Sequence, residues 1–295
     1  MEISIKNRYG DTLYGNGWTI EKPVGLFVII TGMCEASKRY ENFAKFLNEK
    51  GFSVYSIDHY GQGIGKNGPL GNPGKDYFFK MEDTVQDLID DLRKKFPHLP
   101  VILFGHSMGS FVTQGFLEKY SKMVDKVIIC GSNGPTFLFN LGHMAAHLIV
   151  HKSNYNKQAK LLESMSIGGY SKAIKNPKSK NDWLSYNEEN VKKYDDDKYC
   201  GYHCTNGFYL EFMNGLHSIQ KKNALKKVSP KLPILIICGE DDPVGNCSKG
   251  PIKLNKLYQK CGLDSMIIVY KNMRHEILNE NNHEVVYKDI FDFIK

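Results

Sequence analysis

The sequence predicts an α/β fold: a mostly parallel central sheet with helices on both faces, an N-terminal antiparallel hairpin and a mostly helical insertion. Three observations carry that prediction. Short apolar runs alternate with amphipathic helical stretches between residues 26 and 130, the pattern of a parallel sheet covered by helices. The alternation lapses from 135 to 228 and resumes at 232. Between the apolar run 101–104 and a helical stretch after 109 lies Gly105-His106-Ser107-Met108-Gly109, which reads as a tight strand-to-helix turn around a serine.

Each element has its own signal. Residues 2–7 and 12–20 alternate weakly on either side of Tyr9, Gly10 and Asp11, which suits a hairpin at the sheet edge. Residues 26–30 (Leu-Phe-Val-Ile-Ile) form the first buried-type strand. A helix is expected over 39–50, with Tyr40, Phe43, Ala44 and Leu47 on one face and Gly51 as its stop. Strand 52–57 runs into the glycine-rich loop Asp58-His59-Tyr60-Gly61-Gln62-Gly63. Val85, Leu88, Ile89 and Leu92 place a helix over 81–96, stopped by Pro97. Strand 124–130 follows the serine unit. Strand 232–238, helix 252–260, strand 266–270 and helix 283–294 complete the chain. One α/β domain of residues 1–134 and 229–295, interrupted by a helical segment at 135–228, is the simplest organisation. Residues 177–181 are expected to be an exposed loop.

The chain has 295 residues, 41% of them hydrophobic and 24% charged, with a net charge of +7. That length can bury a substantial core. The basic residues are scattered, which argues against nucleic acid as a partner; a lysine-rich solvated surface explains them, with some attraction to anionic lipid. The first residues lack a basic and then apolar leader, and no apolar run reaches the ~18 residues of a membrane span. The seven cysteines are odd in number and irregularly spaced, as for reduced thiols, so the expected location is the cytoplasm.

The serine motif specifies chemistry. A strained turn presents the Ser107 hydroxyl at the carboxyl end of a strand, and the flanking glycines let neighbouring backbone approach. A serine nucleophile needs a base, and the base needs an orienting carboxylate. Glu240, Asp241 and Asp242 follow the strand at 232–238 and compete for the second role; Pro243 biases Asp242 toward an extended conformation. His275 follows the strand at 266–270. All these candidates lie at carboxyl ends of strands, where open α/β sheets bind ligands. An oxyanion requires backbone N–H donors: that of Met108, after the nucleophile, and that of Met33, in the loop after the first central strand.

Together these residues resemble the α/β-hydrolase superfamily and, within it, the monoacylglycerol lipase/lysophospholipase-like group, the serine aminopeptidase S33-type hydrolases. Thr31-Gly32-Met33-Cys34-Glu35 with Arg39-Tyr40 is similar to the group's H-G-x-x-E-x-x-x-R-Y segment, and 58–63 to its D-x-x-G-x-G loop. Gly105–Gly109 matches its elbow, 239–245 its acid segment and 274–280 its base segment. Asp182-Trp183-Leu184-Ser185 and Cys200-Gly201-Tyr202 are similar to stretches of bacterial members. The resemblance implies Asp242 as the acid, in the order Ser107, Asp242, His275. Thr31 replaces the group's usual His, and Met33 is larger than the residue often found there.

The resemblance also implies that 135–228 is a cap. Phe137, Leu138, Leu141, Met144, Ala145, Leu148 and Ile149 give it an apolar stretch, expected either to line an acyl tunnel and touch a membrane surface transiently or to pack on the main domain. Cys34, Phe137, Leu141 and Met144 are the expected substrate contacts. His143, His147 and His151 are spaced to share a helix face, but no carboxylate accompanies them; Cys200 and Cys204 lack a second ligand pair. The glycines at 61–65 lack a Walker lysine. No metal or cofactor is implied. The function implied is hydrolysis of a small acyl ester or single-chain lipid through an acyl-enzyme, with no obligate protein partner. Two alternatives stand beside it: an aminopeptidase, which needs a cap carboxylate such as Glu188, Glu189, Asp195, Asp196 or Asp197 to hold an α-amine, and a non-catalytic binding protein on the same scaffold.

Overall fold

A computed structural model describes residues 1–64 and 67–295; Gly65 and Lys66, the first of which ends the 61–65 glycine run, lie outside the described residues. In chain order the elements are β1 (Glu2–Lys6), β2 (Thr12–Trp18), β3 (Gly25–Ile30), α1 (Glu41–Glu49), β4 (Phe52–Ile57), α2 (Tyr77–Lys95), β5 (Val101–His106), α3 (Met108–Tyr120) and β6 (Lys126–Cys130). The insertion then gives α4 (Phe137–Ile149), α5 (Lys160–Met165), α6 (Ile167–Lys172), α7 (Glu188–Asp196), α8 (Asn206–Ser218) and α9 (Lys222–Leu225). After it come β7 (Ile234–Gly239), α10 (Lys249–Lys260), β8 (Ser265–Tyr270) and α11 (His283–Ile294).

Among the described residues the strands form one 8-stranded sheet in the order β1-β2-β4-β3-β5-β6-β7-β8. β1 pairs antiparallel with β2, and β2 with β4; every other pairing is parallel. From β3 the chain goes to β4 on one side and then crosses to β5 on the other. The carboxyl ends of β3 and β5 therefore flank a topological switch point, where an open sheet leaves a crevice.

Side-chain alternation explains the two cores. Leu26, Val28 and Ile30 of β3 join one apolar cluster with α2, α3 and α10, while Phe27 and Ile29 join another with α1 and α11. Each such fully buried side chain contributes roughly 1.5–3 kcal/mol relative to exposure. The structure differs from the sequence reading at element starts. α2 begins at Tyr77 rather than 81, because Tyr77 and Phe78 are themselves fully buried and extend the helical stripe backward. The expected helix 39–50 opens with a 3₁₀ turn, Ser37–Tyr40, before α1. In the 177–181 loop, Asn181 is buried and donates to Asp195.

Candidate active site

Ser107 joins β5 to α3 with φ 52° and ψ −120°, a conformation unusual for a residue with a Cβ. Its neighbours show why they are glycines. A Cβ on Gly105 would meet Thr113 and the Gly109 carbonyl; one on Gly109 would meet the Ile30 and Thr31 carbonyls. The turn is held by Ser107 N–H donating to the Cys130 carbonyl at 3.0 Å and by Ser110 N–H donating to the Ser107 carbonyl at 2.9 Å. The serine is thus fixed by β6 on one side and by its own helix on the other.

His275 lies in the loop after β8 and Asp242 in the loop after β7. They are 1% and 0% exposed, and Nδ1 of His275 is 2.9 Å from Oδ2 of Asp242. The other Asp242 oxygen accepts from Val244 N–H at 2.9 Å. That leaves Asp242 fixed and His275 held in one ring orientation. Asp241, the rival acid, instead accepts from the Tyr186 hydroxyl at 3.0 Å, and Glu240 faces solvent. The His275 Nε2 atom is buried without a hydrogen-bond partner among the described residues, and His275 lines the cavity that Ser107 also lines. Resting catalytic hydrogen bonds are often long and tighten only on substrate binding.

The loop after β3 approaches the serine closely: a Cβ on Gly32 would lie 3.1 Å from that of Ser107. Thr31, which stands where the resembled group usually has His, is buried, and its hydroxyl has no hydrogen-bond partner among the described residues. The brace comes from the loop after β4. Its His59 Nε2 bonds the Thr31 carbonyl at 2.9 Å, and Gln62 bonds both the Gly32 carbonyl (2.9 Å) and Cys34 N–H (2.7 Å). Burial pushes the His59 pKa down to about 4, so the ring is neutral and donates to that carbonyl.

A buried charge network ties this loop to the His275 loop. Glu35 accepts from Gly32 N–H, from the Tyr40 hydroxyl at 2.7 Å and from His106 Nδ1 at 3.3 Å. Burial would raise its carboxyl, but the His106 hydrogen bond and charge, with Arg39, hold it down to about 2. His106 titrates above its usual value: burial lowers it, and Glu35 more than offsets that. Arg39 binds Glu276, next to His275, at 2.6 Å, and Asn190 of α7 joins the same carboxylate at 2.6 Å. Glu280 accepts from Ser185 and Tyr186, so the His275 loop is also pinned to the insertion.

The cavity measures about 500 Å³. Its floor is Ser107, His275, Met33, Cys34 and Met108, and its other walls are mostly apolar side chains of the insertion: Leu138, Phe139, Leu141, Ala145, Leu162, Ile167, Tyr209 and Phe212. Cys34 and Leu141 are where the sequence reading expected substrate contacts. Phe137 and Met144 are not: they are 74% and 59% exposed and do not line the cavity, because α4 turns one face inward and that pair outward.

The sequence profile of the serine aminopeptidase S33 family matches residues 21–282. The chain belongs to that family. It is 26% identical to monoglyceride lipase of Homo sapiens over 295 residues, covering 95% of this chain and 88% of the human one. It is 23% identical to monoacylglycerol lipase of Mycolicibacterium smegmatis, covering 94% and 90%. A thermostable carboxyl esterase from Bacillus coagulans, solved with glycerol, superposes with a TM-score of 0.90 at 26% identity over 100% of this chain and 97% of that one. The fold is that of an α/β-hydrolase, and the chain sits in the monoacylglycerol lipase-like group.

In this S33 hydrolase the carboxylates named for an amine anchor do not reach the cavity. Glu188 pairs with Lys178, Glu189 with Lys193 and Asp196 with Lys192, while Asp195 accepts from Ser179 and Asn181; none of them, nor Asp197, lines the wall. The histidine face is also rearranged. α4 ends before His151, and His143 instead lies 4.5 Å from His147 and 4.4 Å, stacked, from His217 of α8. In sequence Trp183 stands out only as part of a motif; in the fold its ring is 5.2 Å from that of His275 and it walls the cavity. Among the described residues no helix is long and apolar enough to cross a membrane.

Proposed function

We propose that the protein is a serine hydrolase that cleaves the ester of a single-chain lipid, a monoacylglycerol or lysophospholipid, through an acyl-enzyme. The observation that carries the reading is the convergence of a strained serine and a carboxylate-bound histidine on one cavity with mostly apolar walls. Relatives named as monoglyceride lipases, aligned over nearly the whole chain, support the substrate class.

His275 Nε2 takes the proton of Ser107, whose oxygen attacks the ester carbonyl. The Met33 and Met108 N–H groups hold the oxyanion, and Asp242 stabilises the imidazolium. His275 then protonates the leaving alkoxide. Water, deprotonated by the same imidazole, releases the fatty acid. The insertion acts as a cap whose inner face holds the acyl chain. Its outer face, with Phe137 and Leu148, 74% and 83% exposed, meets the lipid surface from which substrate is drawn.

The test is a series of monoacylglycerols, lysophosphatidylcholines and p-nitrophenyl esters of increasing chain length, run beside Ser107→Ala. A long-chain glyceride or lysolipid is expected to give the highest kcat/KM, and the variant to lose at least about a thousandfold. Turnover of short activated esters alone would remove the lipid assignment. Full activity of the variant would remove the serine mechanism.

A further inference from the structure

We propose that Cys34 and Cys204 form an oxidisable dithiol at the edge of the catalytic cavity, a covalent modification site for hydroperoxides. Their sulfurs are 3.4 Å apart although the residues are 170 positions apart in the chain. One belongs to the loop after β3, next to Met33. The other belongs to the segment 200–205 of the insertion, just before α8. Both are buried, at 4% and 2% exposed.

Neighbouring contacts hold the two backbones in place. The Cys34 carbonyl accepts from Gly201 N–H and from the Tyr194 hydroxyl, each at 3.0 Å, and the Cys34 thiol donates to the Tyr202 carbonyl at 3.3 Å. On the far side the Cys204 carbonyl accepts from Ala159 N–H at 2.9 Å, and Thr205 N–H donates to the Gly71 carbonyl at 2.9 Å. The sulfurs are therefore kept within reach of each other while the chain is folded. Cys34 also lines the cavity, so a small oxidant reaches it by the route the substrate uses.

The steps balance. The Cys34 sulfur attacks the O–O bond of a hydroperoxide; an S–O bond forms, the O–O bond breaks, and the departing oxygen leaves as water or alcohol with the thiol proton. The Cys204 sulfur then displaces the hydroxyl from Cys34: an S–S bond forms, the S–O bond breaks, and hydroxide leaves as water with the second thiol proton. The two sulfurs are oxidised and the two peroxide oxygens reduced. Burial, with Cys34 beside it, holds the Cys204 thiol well above its ordinary pKa and so disfavours its direct reaction with peroxide; its attack on Cys34 is favoured by the 3.4 Å contact.

Closure draws the sulfurs from 3.4 Å to about 2.05 Å. Met33 N–H, one residue away, moves with Cys34. This kinetic consequence rests on the proposed function, because it takes Met33 as an oxyanion donor. Displacing one such donor costs about a hundredfold or more in kcat.

The full chain is treated with hydrogen peroxide and assayed on p-nitrophenyl butyrate, and non-reducing peptide mapping reads the link independently of activity. A 34–204 linked peptide and a fall in kcat of at least about tenfold, both reversed by dithiothreitol, are expected. Cys204→Ala is expected to keep basal turnover and its kcat under peroxide. Cys204→Ser, mapped in the same way, serves if the alanine variant folds poorly. Absence of the linked peptide overturns the proposal. So does a link without loss of kcat, or a loss that persists in the Cys204 variants. Untreated protein with no esterase activity would instead count against the proposed function, while the linked peptide would still be readable.

Discussion

Every residue of β3, β4, β5 and β7 is buried, whereas Ala146 alone is buried in α4. A strand covered on both faces has no freedom to tilt, so groups at its carboxyl end inherit its position. Ser107, Asp242 and the 32–35 loop hang on β5, β7 and β3 in this way. α4 packs more loosely, with one face toward a cavity and the other toward solvent. On the proposed function, the platform sets which bond reacts and the inserted segment sets which molecule arrives. Substitutions in the two regions should therefore separate kcat from chain-length preference.

The largest effect is expected at the platform. Asp242→Asn keeps the shape but removes the charge and favours the wrong histidine tautomer; kcat should fall about 10⁴-fold. KM for every chain length should change little. A fall that varied with acyl length would show that Asp242 acts on the inserted segment rather than on His275. Next comes Ala145→Phe. Ala145 is half-buried and lines the cavity from α4, so the ring occupies space the acyl chain would use. The kcat/KM for long-chain esters should fall roughly tenfold to a hundredfold relative to butyrate, the range a hydrophobic pocket controls. Equal losses on both substrates would mean that the chain lies elsewhere. A smaller effect is expected from Leu148→Glu on the outer face, because it removes one apolar anchor of roughly 2 kcal/mol. Partition onto lipid vesicles should weaken about tenfold or more while butyrate hydrolysis stays unchanged. Unaltered vesicle binding would assign that face to another role.

The same contrast governs what was legible beforehand. Ser107 and His275 could be singled out because each follows an apolar run, and such runs end at the crevice of an open sheet; the run before Asp242 left three neighbouring acids open, and the family resemblance pointed to Asp242. The insertion has several helices without a dominant stripe, so its inner face could not be told from its outer one. Leu141 lines the cavity, whereas Phe137 and Met144 face outward. The brace of the loop after β3 was also hidden. His59 and Gln62 reach Thr31 and Gly32 from 28 and 30 residues away, through a loop whose path no periodicity records. Glu35, Arg39 and Glu276 stood inside recognisable motifs, but only the folded chain brings the three together.

The platform's rigidity also leaves a signature in stability, seen at Asp58. Burial pushes this carboxyl up to about 7, against the Ser37 amide that donates to it at 2.6 Å. In the unfolded chain it titrates near 3.9. Between those values the folded protein keeps a proton that the unfolded chain has released. The stability this confers is fully present below about pH 4 and is lost as pH rises through about 7. Glu82, also pushed up to about 7 by burial, acts in the same direction. His59 opposes them, since its folded value of about 4 lies below the unfolded one and its contribution grows as pH rises. The clean measurement is therefore a difference. Asp58→Asn keeps an acceptor for Ser37 N–H and has nothing to titrate. Relative to wild type it should gain roughly 1–4 kcal/mol on going from pH 4 to pH 8, because each pH unit separating the folded and unfolded titrations is worth about 1.4 kcal/mol. Urea unfolding at both pH values checks it, with neutralisation of the exposed Asp196 as the control. Parallel pH profiles for Asp58→Asn and wild type would mean that the buried end of β4 is wetter, and the platform looser, than its packing implies.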